Sequence, residues 1–215
     1  MPHVKTIPGI DLCVVIDKAI LGGRDAAGVL RLLLVAGVNW FQYRDKCSGD
    51  GEIARAISGM LPLTREAGAR LIVNDRVEVA SQLDADGVHL GRDDMAIGEA
   101  RRLLGEEKII GYSARLLEDA ARAEAEGADY LGVGAIYQTG TKPDARVIGL
   151  AGLAEISRGV KIPVIAIGGI ARSRVSDVLE AGATGIAVAS AVISAPDPAA
   201  VARALLEEIR AFREN

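Results

Sequence analysis

The segment Phe41-Gln42-Tyr43-Arg44-Asp45-Lys46 sets an amide and two cations at alternate positions. Alternate residues of a strand share a face, so Gln42, Arg44 and Lys46 would converge on one side. That grouping makes a poor core and a good anion site; the competing reading is a charged strand end resting in solvent. Val73-Asn74-Asp75-Arg76 and His89-Leu90-Gly91-Arg92-Asp93-Asp94 each bring a carboxylate to the end of an apolar run. Mg²⁺ is typically held by one or two carboxylates and completed by substrate phosphate oxygens, so Asp75 and Asp94 beside a cationic strand end suggest a metal and a diphosphate. Either Asp could instead serve as the N-cap of the helix that follows it.

Two further segments have the chemistry of phosphate binding. The stretch Tyr137-Gln138-Thr139-Gly140-Thr141-Lys142-Pro143-Asp144 combines hydroxyls, flexible backbone and an ammonium group, which together can wrap a phosphate. Ile167-Gly168-Gly169-Ile170 and Val188-Ala189-Ser190-Ala191 end apolar runs in small residues, leaving backbone N–H groups open to an anion. Chemistry driven by histidine is not indicated. His3 lies near the N-terminus, and His89, between Val88 and Leu90, reads as a hydrogen-bonded strand residue. Zinc-ligand spacing and the serine-hydrolase elbow are both missing, and Cys47 reads as a bystander thiol.

The elements that must position these residues follow from periodicity. Short β-branched runs at 11–16, 39–44, 70–74, 87–90, 108–113, 130–136, 163–167 and 185–189 alternate with stretches rich in Ala, Leu, Glu and Arg. That alternation is the mark of repeated βα units. Residues 50–67 place Ile53, Ile57 and Met60 on one helical stripe, and 116–126 form an Ala/Glu/Arg helix stopped by Gly127. AGAR at 67–70, EGAD at 126–129 and AGAT at 181–184 repeat one punctuation, a glycine that ends a helix before the next strand. Eight units without a linker predict a single-domain (β/α)₈ TIM barrel over 1–215, with its chemistry at the C-terminal strand ends. An open doubly wound sheet is the alternative, but LGVGAIY at 131–137 lacks the third glycine of the dinucleotide fingerprint.

Composition narrows the function classes. The 25 basic and 29 acidic residues give a net charge of −4, without the basic excess of a nucleic-acid binder. Hydrophobic residues make up 50% of the chain, too many for disorder. The first dozen residues do not read as a secretory signal, and the apolar stretches at 29–38 and 162–171 are too short or too interrupted to span a membrane. Two cysteines, Cys13 and Cys47, fit a reducing compartment. A cytoplasmic protein acting on small molecules is expected, with neither nucleic acid nor membrane as partner; a homo-oligomer is compatible with the sequence.

Taken together, QYRDK at 42–46, NDR at 74–76, DGVHLGRDDM at 86–95, Ser113, ADYLGVGAIYQTGTKPD at 128–144, IPVIAIGGI at 162–170 and Ala189-Ser190 resemble the thiamine-phosphate synthase family over nearly the whole chain. The resemblance implies a transferase of thiamine biosynthesis. It would join an aminopyrimidine diphosphate to a thiazole phosphate with Mg²⁺, releasing diphosphate through a dissociative pyrimidine cation. It further implies that Gln42, Arg44, Lys46 and Asn74 contact the pyrimidine diphosphate, that Asp75 and Asp94 ligate Mg²⁺, and that Ser113 lies beside the substrate. Thr139, Gly140 and Thr141 would contact the thiazole phosphate, Lys142 the diphosphate, and Gly169, Ala189 and Ser190 the thiazole phosphate cradle. Arg44, Lys46 and Lys142 would form the catalytic clamp.

Three departures from the family pattern stand out. Gln138 and Gly140 occupy places where the family commonly has prolines, and Arg115 stands where many members have His. The sister thiazole tautomerase relies on a histidine where this chain has Ala135. A catalytically silent homologue that binds thiamin intermediates is the other alternative, opposed by the joint presence of Lys46, Asp75, Asp94 and Lys142. Sugar-phosphate isomerases or epimerases need a paired acid and base that the sequence does not offer.

Overall fold

The computed structural model describes residues 9–140 and 146–214. Eight strands pair in parallel in chain order: β1 (Leu12–Asp17), β2 (Trp40–Arg44), β3 (Arg70–Asn74), β4 (Gly87–Leu90), β5 (Ile109–Ala114), β6 (Tyr130–Val133), β7 (Val164–Ile167) and β8 (Gly185–Val188). The last pairs with the first, Leu12 against Ile186 and Val14 against Val188, so the sheet closes into a barrel. Parallel neighbours need long crossovers. These carry α1 (Ala26–Val35), α2 (Asp50–Glu66), α3 (Val77–Gln82), α4 (Ile97–Leu104), α5 (Leu117–Ala125), α6 (Gly149–Gly159) and α7 (Val175–Glu180), with α8 (Ser190–Ile193) and α9 (Pro198–Glu214) after β8. The architecture is the (β/α)₈ barrel that the alternation predicts.

Each strand serves two cores at once. Leu12, Val14 and Ile16 of β1, with Phe41 and Tyr43 of β2, face the helices, while Cys13, Val15 and Trp40 face the barrel axis. On the helical side, Ile53, Ile57 and Met60 of α2 are buried as one stripe. Gly68, Gly127 and Gly182, the punctuating glycines, all have positive φ, the left-handed turn that ends a helix.

Seven strands lie within one residue of their predicted bounds, and two differences matter. β6 stops at Val133 instead of reaching 136, because the chain there leans onto the end of β7. Ile136 N–H donates to Ile167 O and Tyr137 N–H to Gly168 O, each at 3.0 Å. Gly134 permits the close approach, since a Cβ there would lie 2.0 Å from Ile167 O. The second difference is that β1 runs one residue beyond its predicted end, bringing Asp17 into the ring of strand-end residues.

The middle of the barrel is filled by rings. Trp40 and Tyr130 meet edge to face at 5.8 Å between centroids, and His89 lies 5.4 Å from Tyr130. Space for them comes from two glycines: a Cβ on Gly111 would sit 2.2 Å from the Tyr130 ring, and one on Gly132 would sit 2.8 Å from the His89 ring.

The same reasoning predicts opposite outcomes for two Gly→Ala changes. A Cβ at Gly185 would meet Ile10 O at 1.7 Å, so Gly185→Ala should destabilise by about 3 kcal/mol. Gly59, exposed within α2 with nothing near its Cβ position, should gain about 1 kcal/mol as alanine through helix propensity. Urea unfolding followed by circular dichroism measures both.

Candidate active site

A cavity of about 360 Å³ opens above this ring layer, at the C-terminal ends of the strands. Its wall includes eight of the residues singled out in the sequence: Gln42, Arg44, Asn74, Ser113, Thr139, Gly169, Ala189 and Ser190. Lys46, Asp75 and Asp94 gather beside the cavity, off its wall. Gly140 is exposed and also lies off the wall. Thr141 and Lys142 lie outside the described residues.

The cationic edge is built by β2 as its alternation requires. Phe41 and Tyr43 are buried against the helices, which turns Gln42 and Arg44 inward. Arg44 pairs with Asp17, itself 2% exposed. Asp17 was not among the expected site residues, since the sequence pattern ended β1 at Ile16; an acid directly after a β-branched run was the available signal. Lys46 follows in a turn held by Asp45, whose Oδ1 accepts N–H groups from Cys47 and Ser48 at 3.0 Å each. Lys18 adds an ion pair to Asp45 at 3.4 Å.

Lys46 reaches across to the Asp75 carboxylate. Asp75 has a φ of 66°, a backbone state rare for a residue with a side chain, and its N–H bonds to His89 O at 3.0 Å. Its carboxyl comes within hydrogen-bonding reach of Asp94. Neither Asp is a helix cap: α3 and α4 begin after Arg76 and Ala96, without side-chain capping bonds. Asp94 instead accepts the Gly91 N–H at 2.7 Å. Burial, with Asp94 adding and Lys46 opposing, pushes the Asp75 carboxyl above its ordinary value. Burial acts on Asp94 too, but Asp75, the Gly91 N–H and the charges of Lys46 and Arg76 outweigh it and hold that carboxyl below its ordinary value. Two carboxylates this close repel when both are ionised, and a divalent cation between them would remove the repulsion. Among the described residues no third His, Cys, Asp or Glu joins them to complete a metal cluster, so further ligands would have to be substrate oxygens or water.

Deeper in the cavity the donors are neutral. The Asn74 Nδ2 is buried without a hydrogen-bond partner among the described residues, an arrangement that is costly unless a ligand completes it. His89 bonds Tyr130 through Nδ1 at 3.0 Å and Ser113 through Nε2 at 2.9 Å, as a hydrogen-bonded strand residue should. It also lines the cavity, a role its apolar neighbours in the sequence concealed. Cys13, inside the barrel, is pushed up to about 12 by burial and is inert as a nucleophile. Arg115 lines the cavity as well. At the opposite edge, Gly168 and Gly169, both at positive φ, line the cavity beside Ala189 and Ser190 at the start of α8.

Comparison with known proteins shows the family to which the chain is similar. Residues 12–192 match the family model described as thiamine monophosphate synthase. The chain is 49% identical over 205 residues to the thiamine-phosphate synthase of Chloroflexus aurantiacus, covering 95% of this chain and 94% of that one. Against the thiamine-phosphate synthase of Moorella thermoacetica, identity is 46% over 208 residues, covering 96% and 99%. The solved thiamine phosphate pyrophosphorylase from Pyrococcus furiosus superposes with a TM-score of 0.86 at 40% identity, covering 94% of this chain and 96% of that one.

Asp45 supplies a pH prediction. Burial would raise its carboxyl, but bonds from the Ser48 side chain, the Cys47 and Ser48 N–H groups and Lys18 hold it down at about 2. A depressed folded value stabilises above the unfolded value of about 4, and that gain disappears as pH falls through the folded value. Asp45→Asn should therefore cost about 2 kcal/mol at pH 6 and converge on the wild type near pH 2, as measured by urea unfolding across that range.

Proposed function

Since the chain belongs to the thiamine monophosphate synthase family, we propose that its cavity condenses an aminopyrimidine diphosphate with a thiazole phosphate, giving thiamine phosphate and diphosphate. The observation that carries this reading is the convergence of Lys46, Asp75 and Asp94 beside Arg44 and Asn74 at one cavity. Paired carboxylates flanked by cations suit a metal-bound diphosphate and have no use in the core of a barrel.

The oxygen-only donor pair fits Mg²⁺, with Asp75 and Asp94 as the residues that would hold it. When bound, Mg²⁺ supplies positive charge to the diphosphate oxygens. The chain's own residues do the remaining work. Arg44, kept in place by Asp17, and Lys46 neutralise the leaving diphosphate as the pyrimidine C–O bond breaks and the electron pair passes to the leaving group. Lys142 completes this clamp by the family resemblance. The aminopyrimidine ring carries the resulting methylene cation while Gln42, Asn74 and Ser113 hold it by neutral hydrogen bonds. The thiazole nitrogen then donates its lone pair to form the new C–N bond. No protein nucleophile or general base is called for. Thr139 and Gly140, with Thr141, contact the thiazole phosphate beside the cradle of Gly169, Ala189 and Ser190.

The substrates are small molecules, and among the described residues no helix is long and apolar enough to cross a membrane. The free thiols of Cys13 and Cys47 suit a cytoplasmic setting.

The direct test supplies the purified protein with both substrates and Mg²⁺, follows diphosphate release and identifies thiamine phosphate by mass. Product should require all three. Ligand binding without turnover would instead support a silent homologue. Asp75→Asn or Asp94→Asn should lower turnover on the order of 100-fold at limiting Mg²⁺ with an unchanged melting temperature; turnover equal to wild type would remove those residues from the metal site.

A further inference from the structure

The Gly168-Gly169 turn owes its shape to a residue outside the cavity wall. Arg174 lies on the short 3₁₀ turn Arg172–Arg174 that precedes α7. Its Nη1 donates to Gly169 O at 2.6 Å, and its guanidinium carbon lies 4.2 Å from the centre of the Tyr137 ring. Tyr137 N–H in turn donates to Gly168 O at 3.0 Å. Because a peptide is planar and trans, its C=O and N–H point in opposite directions. Fixing Gly168 O against Tyr137 therefore fixes the Gly169 N–H, and fixing Gly169 O against Arg174 fixes the Ile170 N–H. Gly169 and Ile170 line the cavity, whereas Tyr137 and Arg174 do not. The two carbonyls are thus held by groups outside the cavity wall, and the two N–H groups are left facing inward.

The same guanidinium ties this turn to the base of the loop after β6. A Cβ on Gly169 would lie 2.5 Å from Gln138 O and 2.9 Å from Tyr137 Cβ, so the two segments are already in close contact. Gln138 stands where a proline would stiffen the chain, and the Arg174–Tyr137 stack supplies a restraint from outside. A hydrogen bond from a cation to the Gly169 carbonyl also polarises that peptide and strengthens its N–H as an anion donor.

We propose that Arg174 is a positioning residue for the phosphate of the monophosphate substrate, acting through the Gly169–Ile170 peptide and the Tyr137 end of the β6 loop. This rests on the reading of that turn as the thiazole phosphate cradle. Arg174 does not line the cavity, and it makes no bond to the diphosphate edge formed by Arg44, Lys46 and Asp75.

The test compares wild type, Arg174→Gln and Arg174→Lys in the full chain, using steady-state kinetics for each substrate and calorimetric binding of the thiazole phosphate and its dephosphorylated alcohol. Arg174→Gln should raise KM for the thiazole phosphate about tenfold, the equivalent of one charge-assisted hydrogen bond. It should leave KM for the pyrimidine diphosphate and affinity for the alcohol unchanged. Arg174→Lys can still reach Gly169 O but lacks the flat guanidinium, and should recover part of the loss; it also provides the reading should the glutamine variant not fold. An unchanged KM for the thiazole phosphate in both variants, or equal losses for the phosphate and the alcohol, would overturn the proposal. A wild type that binds the alcohol as tightly as the phosphate would overturn the cradle assignment itself, and this inference with it.

Discussion

Three rings packed across the barrel axis set the height at which chemistry can occur. Trp40, Tyr130 and His89 form this layer, and they fit because Gly111 and Gly132 present no side chain where the rings lie. Ile10, Ile72 and Ile109 pack with Trp40 and Tyr130 in the barrel interior; towards the C-terminal strand ends a cavity of about 360 Å³ remains. An eight-stranded barrel has an interior just wide enough for side chains to fill, so a site exists only where filling stops. His89 belongs to both regions, closing the layer through Tyr130 and offering Ser113 to the cavity.

In the proposed function, the site above this floor divides into two kinds of anion binding. Around β2, β3 and β4 the charges are full ones on side chains, with Arg44 and Lys46 facing Asp17, Asp75 and Asp94. Around β7 and β8 the donors are backbone N–H groups at small residues. The proposed chemistry explains the division. A diphosphate that departs gains negative charge in the transition state, and full cationic charges held in place, with a metal, would match that change. A monophosphate that only anchors its substrate keeps its charge throughout, and fixed peptide dipoles suit it without adding a field that would disfavour a nearby carbocation.

The cationic edge also shows how folding restrains like and unlike charges at close range. Asp17 and Asp45 are buried acids, yet neither lacks compensation: Arg44 pairs with the first, while backbone N–H groups and Lys18 hold the second. Breaking such an arrangement costs several kcal/mol because a charge is left buried and unpaired. The carboxylates that keep a residual repulsion are Asp75 and Asp94, at the place where a cation would be of most use.

Local pattern made much of this legible. Alternation along 41–46 put Gln42 and Arg44 on the inward face, and eight apolar runs with glycine stops predicted the barrel, because strand period and helix termination are properties of a few consecutive residues. The wall residues Asn74, Ser113, Thr139, Gly169, Ala189 and Ser190 were named from strand ends and motif resemblance alone. Pairings across the barrel were not legible. That Asp17 holds Arg44 and that His89 bridges Tyr130 and Ser113 each depend on strand ends brought together by pairing within the sheet. Which strand residues face inward is written in the local pattern; which of them touch is not, because those contacts arise from register and close approach between segments far apart in the chain.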